Sequence, residues 1–269
     1  MIVGVDIGAT KTLLTAAAAD NAPREQRFPT PADFTTFTQQ LDQHLREITD
    51  HHDPAAVVVA APGVIEDGVL RRGGQLSWVE ADIRTAITSL YPQAGVEVLN
   101  DAAAGGWYEA VAGTGKDYNV VLYVTISTGI GTSLIIDQQL RYDFGNSEGG
   151  RMVYDPNTAE RFEAAASGKS FTETYHHQGA EESDPTVWSE YGSRVGTCLF
   201  SMATLVRPQA IVIGGSMGAH WEQYRSAALS QFDTLNAGMF QRPVIVAASQ
   251  PETAVAAGCL QRARELADG

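Results

Sequence analysis

The sequence predicts an α/β protein made of two related halves. Two observations carry this. Short, β-branched apolar runs alternate along the chain with segments whose apolar residues recur at helical spacing. One arrangement also occurs twice: a strand, a small turn of glycine and hydroxyl residues, and a second strand, at Ile2 to Ala18 and again at Asn119 to Ile136. Such self-similarity marks a weak internal repeat.

The elements follow in order. Ile2 to Val5 is an extended apolar run ended by Asp6, and Gly8 permits a tight turn before the apolar stretch Leu13 to Ala18. Arg24 to Thr30 is a third strand. Pro31 opens a helix with Phe34, Phe37, Leu41, Leu45 and Ile48 on one face. Ala55 to Ala61 is continuously apolar between Pro54 and Pro62, as a buried parallel strand is. Pro62 to Trp78 reads as an irregular glycine-rich loop, where Trp78 either anchors the loop or stacks on a ring. A short helix carries Ile83, Ile87 and Leu90. The strand Val96 to Leu99 ends at Asn100-Asp101, and a small-residue helix runs from Ala102 to Ala112. Gly113 to Lys116 is the linker candidate. Beyond it come a strand from Asn119 to Thr125, the turn Ser127 to Gly131, and a strand from Thr132 to Ile136. A long helix (Trp188 to Val206), a strand (Ala210 to Ile213), a helix (His220 to Leu235), a strand (Val244 to Ala247) and a helix from Glu252 complete the pattern.

At 269 residues, with 44% hydrophobic and 19% charged residues, the chain has the composition of a globular protein with a sizeable core. The net charge of −14 argues against nucleic acid as a partner. Cys198 and Cys259 sit in apolar helical surroundings and read as buried free thiols. The adjacent pairs His51-His52 and His176-His177 read as surface residues, and no metal-type spacing of Cys or His exists. Met1 leads directly into the first strand, with no signal peptide and no apolar run long enough to span a bilayer. A cytoplasmic location without membrane contact is therefore expected.

Four stretches carry chemistry. In the first, Gly8, Ala9, Thr10, Lys11 and Thr12 offer backbone N–H groups, hydroxyls and an ammonium to a phosphate, while Asp6 can hold hydrated Mg²⁺. In the second, Asn100 and Asp101 stand at the C-terminal end of a strand, where open α/β sheets bind ligands. They suit a polyol's hydroxyls, and Asp101 can take a proton from one of them. The alternative is that Asp101 caps the following helix. In the third, Thr128, Gly129 and Gly131 form a turn that matches the first, and two such turns can grip phosphates from both sides. In the fourth, Gly145 to Arg151, Glu148 lies among residues that permit unusual backbone angles, and Glu163 follows on a small-residue helix. Two carboxylates in one pocket suit sugar hydroxyls, whereas the plainer reading is two solvated glutamates. Pro62-Gly63 can line the same pocket, and Gly214-Gly215 can admit an adenosine to the backbone.

These residues resemble the ROK family of sugar kinases and repressors, within the actin-like ATPase superfamily. Asp6 to Lys11 looks like its first phosphate motif with Ala9 in place of a glycine, and Ala61-Pro62-Gly63 matches a further motif. Asn100-Asp101-Ala102 matches the motif bearing its catalytic aspartate. Thr125 to Gly131 matches its second phosphate motif with Ser127 replacing a glycine, and Ile213-Gly214-Gly215 matches its adenosine-side glycines. The resemblance covers nearly the whole chain. It implies a two-lobed actin-like (duplicated ribonuclease H-like) fold with a central cleft. The N-terminal lobe at 1–116 is joined by the helix 252–269, and the nucleotide lobe lies at 117–251.

The resemblance further implies a glucokinase-like, ATP- and Mg²⁺-dependent sugar kinase. Asp101 is the general base, and sugar is held by Asn100, Asp101, Glu148, Arg151, Glu163 and Gly63. Family members are often homodimers. Two departures stand out. The family's His is here Arg151, and the cysteine cluster that holds structural zinc is absent, so no zinc is expected. An Arg beside the sugar pairs with a carboxylate or phosphate on the ligand, unless it turns outward. The altered motifs also leave a second reading, a catalytically weak, sugar-binding regulatory protein. A direct start at the first strand and an acidic chain disfavour the DNA-binding repressor role. A sugar-independent ATPase is disfavoured by the Asn100-Asp101 and Glu163 pattern.

Overall fold

The computed structural model describes residues 1–18, 22–74, 76–141 and 147–268, so Gln75, Gly145 and Asn146 of the stretches above lie outside the described residues. The chain divides into two compact units: Met1–Tyr108 with Thr253–Gly269, and Glu109–Glu252.

The first unit is built on a five-stranded sheet. Its strands are β1 (Ile2–Ile7), β2 (Lys11–Ala17), β3 (Arg24–Pro29) and β4 (Ala56–Ala61), with a fifth at Gly95–Asn100. The period of two in β1 sends Val3, Val5 and Ile7 into one core with α1 (Phe34–Ile48), and puts Gly4 and Asp6 on the opposite face. Pro31 precedes this helix instead of opening it, because the Asp33 carboxylate caps it by accepting from the Thr36 N–H at 2.7 Å. All six residues of β4 are buried, as its unbroken apolar run requires.

The interval read as an irregular loop holds two strands, β5 (Val64–Glu66) and β6 (Val69–Arg72). With β7 (Val79–Asp82) they form a separate antiparallel sheet that leads into α2 (Ile83–Leu90). Strands of three or four residues show too little alternation to read from sequence. Trp78 is an anchor: its indole N–H donates to the Pro31 carbonyl at 3.1 Å, and its ring lies 4.5 Å from that of Phe37. β8 (Gly95–Asn100) closes the main sheet in the order β3-β2-β1-β4-β8 and runs into α3 (Asp101–Val111). The terminal helix Ala254–Asp268 packs against β1 and β4 with Cys259 buried beside Gly4. Arg262 Nε reaches the mostly buried Glu97 Oε2 at 2.7 Å.

The second unit repeats the plan. β9 (Val120–Ile126), β10 (Ile130–Ile136) and β11 (Gln139–Leu140) form a meander. After the small hairpin of β12 (Val153–Asp155) and β13 (Glu160–Arg161) come the parallel strands β14 (Ala210–Gly214) and β15 (Val244–Ala247). The order β11-β10-β9-β14-β15 matches that of the first sheet strand for strand, which is the internal repeat the sequence suggested. The helices are α4 (Phe162–Ala166), α5 (Gly168–Tyr175), α6 (Pro185–Val206) and α7 (Trp221–Asn236). Tyr191 and Tyr224 are buried among Phe171 and Trp188, and their hydroxyls donate to the carbonyls of Ala166 (2.9 Å) and Met217 (3.1 Å). His51, His52 and His176 are exposed as expected, whereas His177 is partly covered, with its Nε2 2.7 Å from the Glu182 carboxylate.

One fully buried carboxylate had no signal in the sequence. Glu109 accepts from the N–H groups of Thr114 and Ser249 (both 2.9 Å) and Gln250 (3.1 Å), and from the Ser249 hydroxyl at 2.9 Å. Glu109→Ala removes the acceptor from all of them, and the expected loss of unfolding free energy is at least ~3 kcal/mol. Urea denaturation measures it, and a loss below ~1 kcal/mol contradicts this role. No helix among the described residues is long and apolar enough to cross a membrane.

Candidate functional site

In the first unit the candidate residues gather where β1 and β4 end. The β1–β2 hairpin closes with the Gly8 N–H donating to the Lys11 carbonyl at 3.0 Å. Thr30, just past β3, braces this turn: its N–H donates to Thr10 O (3.1 Å) and its hydroxyl to Gly8 O (2.8 Å). The Thr12 hydroxyl lies 2.9 Å from that of Thr30, and Thr12 is fully buried. Thr12 therefore departs from its expected place on a phosphate and supports the turn from beneath. Ala9, Thr10 and Lys11 keep solvent-facing surface. Sequence alone did not point to Thr30, because its role depends on how β2 and β3 pair.

Asn100 also has a task within the fold. Its Oδ1 accepts from the N–H groups of Ala102 (2.9 Å) and Ala103 (3.3 Å), and its Nδ2 donates to the Gly63 carbonyl at 2.8 Å. Asn100 is thus the helix cap that Asp101 had been weighed for. Its amide oxygen and one of its two amide N–H groups serve the fold and fix Gly63 and α3 together. Asp101 stands at the first position of α3, where the helix N-terminus favours its negative charge, and Oδ1 also accepts from Ala102 N–H at 2.7 Å.

Asp6 keeps some exposed surface as a residue, but its carboxyl lies deep. Burial and the negative charge of Asp101 push its pKa up to about 7, while Lys11 pulls it down. Two carboxylates in electrostatic contact beside an exposed turn form a donor set that a hydrated Mg²⁺ satisfies, because the cation removes the repulsion that raises the pKa. Among the described residues no group of three or more His, Cys, Asp or Glu side chains could hold a metal ion.

In the second unit the turn after β9 is closed by the Ser127 N–H donating to Gly129 O (2.9 Å) and the Gly168 N–H donating to Ser127 O (2.6 Å). Thr128 is exposed at its tip, and Gly131 follows on β10. Glu163 lies against this turn, where its Oε2 accepts from the Ile130 N–H at 3.3 Å. Glu148 forms an ion pair with Arg151, Nε to Oε2 at 2.7 Å, and Glu163 is close enough to act on the same guanidinium electrostatically. Both carboxylates stabilise the charged Arg151. Arg151 is exposed to solvent, as the outward reading has it, and its charge is paired with Glu148 instead of being offered to a ligand, so the expectation of an anionic sugar loses its basis. Gly214 and Gly215 have a reason within the fold. A side chain at Gly214 would run into the Tyr123 hydroxyl, and Gly215 adopts φ +79° against the Ile126 carbonyl. Their glycines admit the protein's own chain.

Comparison with known proteins finds sugar kinases among the relatives of the chain. The chain is 31% identical to an N-acetylmannosamine kinase of Vibrio vulnificus over 164 residues. That match covers 58% of this chain and 55% of the relative, so it spans little more than half of the relative's length. The inorganic polyphosphate/ATP-glucomannokinase of Arthrobacter superimposes with a TM-score of 0.75 at 26% identity, covering 99% of this chain and 98% of that one. A ROK-family glucokinase of Streptomyces griseus, solved with glucose and AMPPNP, gives a TM-score of 0.81 at 19% identity, with 98% and 99% covered. The fold is thus the α/β fold of the actin-like ATPases. The sequence model of the ROK family matches residues 2–265, and the chain belongs to the ROK family.

Proposed function

We propose that the chain is an ATP-dependent sugar kinase acting on a neutral hexose or an N-acylated hexose, with Asp101 as its general base. The observation that carries this reading is the electrostatic contact of Asp101 with the buried carboxyl of Asp6, beside the first phosphate turn. The kinase relatives support it. In the first unit, Ala9, Thr10 and Lys11 supply donors to phosphate oxygens. Asp6, with Asp101 beside it, would hold Mg²⁺, which when bound neutralises phosphate charge. In the second unit, Thr128 to Gly131 supply further donors, Gly214-Gly215 the adenosine side, and Glu148, Arg151 and Glu163 the sugar contacts. Asp101 accepts the proton of the attacking hydroxyl. A carboxylate suffices, because the loose transition state of phosphoryl transfer lets that proton leave late. Positioning and charge neutralisation provide the remaining acceleration.

One observation favours a second reading, a catalytically weak sugar-binding regulator: Arg151 occupies the Glu148 carboxylate that a sugar would use. ADP release from MgATP, measured with and without glucose, mannose and N-acetylmannosamine, separates the two. Sugar-dependent release is expected. Absence of release with every sugar, despite sugar binding, selects the regulator, and release without sugar rejects both.

A further inference from the structure

We propose that Glu163 is a positioning residue that couples sugar binding to the shape of the second phosphate turn. The inference rests on the kinase reading for its ligands and deepens it by naming a device inside the second unit.

The backbone of Ile130 is approached at both of its polar groups. On its N–H side lies the Glu163 carboxylate, at 3.3 Å. On its C=O side lies Gly150, so close that a Cβ there would come within 2.5 Å of the Ile130 carbonyl. Gly150 belongs to the segment bearing Glu148 and Arg151. That segment is fastened to β10, because the Gly149 N–H donates to Thr132 Oγ1 (3.2 Å) and the Thr132 hydroxyl donates to Ser147 O (2.9 Å). A residue proposed for sugar, Glu163, and the segment bearing two others therefore both meet the Ile130 backbone, which shapes the phosphate turn.

The grip on the N–H side is loose. Glu163 is exposed and its bond is long, so its carboxylate is free to leave the Ile130 N–H. While unpaired, its charge also opposes a phosphate at the turn. Sugar hydroxyls that donate to Glu163 fix its rotamer and spread its charge, and the turn is then ordered for phosphate before the nucleotide arrives. Linkage requires the reverse effect of equal size: the nucleotide must tighten sugar binding by the same factor.

The test is binding of Mg-AMPPNP to the full chain by calorimetry, with and without glucose, mannose or N-acetylmannosamine. In the wild type at least one sugar is expected to raise nucleotide affinity about fivefold or more. The informative variant is Gly129→Ala. Its Cβ would lie 2.6 Å from Glu163 Oε2, which must swing off the turn while remaining available to sugar. The coupling factor is expected to fall to about one with sugar binding retained. Glu163→Gln keeps an acceptor oxygen for the Ile130 N–H and is expected to keep most of the coupling. A wild-type factor of one, or an undiminished factor in Gly129→Ala, overturns the proposal. Sugar-dependent ADP release without coupling overturns it alone. Coupling without ADP release upholds it and overturns the kinase reading, and absence of both overturns both.

Discussion

Asp101→Asn is expected to retain sugar binding and to lose at least ~100-fold in turnover, the lower range for a positioned base. The substitution is nearly isosteric, and its amide oxygen can still accept from the Ala102 N–H, so α3 keeps its start. The cap itself is unaffected, because Asn100 provides it. What disappears is the proton acceptor and one negative charge. Loss of that charge carries a second signature, because Asp101 is one of the two causes that raise the pKa of Asp6. In the variant Asp6 should ionise at lower pH, and residual activity should reach its plateau at lower pH than in the wild type. Steady-state kinetics with the best sugar of the panel, run as a pH profile, reads both effects. Turnover within tenfold of wild type would reject Asp101 as the base.

Asp6→Asn is expected to stabilise the metal-free protein at alkaline pH. The sign follows from linkage. The carboxyl of Asp6 has an ordinary value of 3.8 and one of about 7 when folded, so between these values the folded chain binds more protons than the unfolded chain. Stability from this group is complete below about pH 4 and is lost as pH rises through about 7. The interval corresponds to on the order of 4 kcal/mol. Subtracting the pH dependence of Asp6→Asn from that of the wild type removes other groups, among them exposed Asp33 and Glu47, whose values are lowered by their hydrogen bonds. In urea denaturation with a chelator present, the difference should open across that window in favour of Asn. Millimolar Mg²⁺ should raise wild-type stability at pH 8 and leave Asp6→Asn unmoved. A difference flat with pH contradicts a desolvated Asp6, and equal Mg²⁺ effects contradict its place at the cation.

The parts of the fold visible in the sequence are those set by one-dimensional patterns. β4 is buried on both faces and reads as a solid apolar run, and α1 displays its stripe of Phe37, Leu41, Leu45 and Ile48. The two hairpins at β1–β2 and β9–β10 announce themselves through repeated turn chemistry. What stayed hidden depends on pairing across the chain. Thr12 and Thr30 are 18 residues apart and meet only because β2 and β3 share a register. Asn100 spends its amide on Gly63, 37 residues earlier, so a residue suited to hydroxyls proves to hold the backbone. Glu109 gathers N–H groups from residues as much as 141 positions away, and in sequence it is one acid in a helix of small residues. Arg151 left two readings open, a contact to an anionic ligand or an outward turn, until its exposure and its pairing with Glu148 were seen.

The sheet of the first unit has an unusual schedule. Its strands are complete by Asn100, yet the helix lying on β1 and β4 comes after all of the second unit, from Ala254 onward. During synthesis the ribosome therefore exposes one side of that sheet for more than a hundred residues of elongation, while the uninterrupted segment from Glu109 to Glu252 can collapse by itself. Nascent chains stalled before Ala254 should hold a protease-resistant second unit beside a first unit that still binds a chaperone.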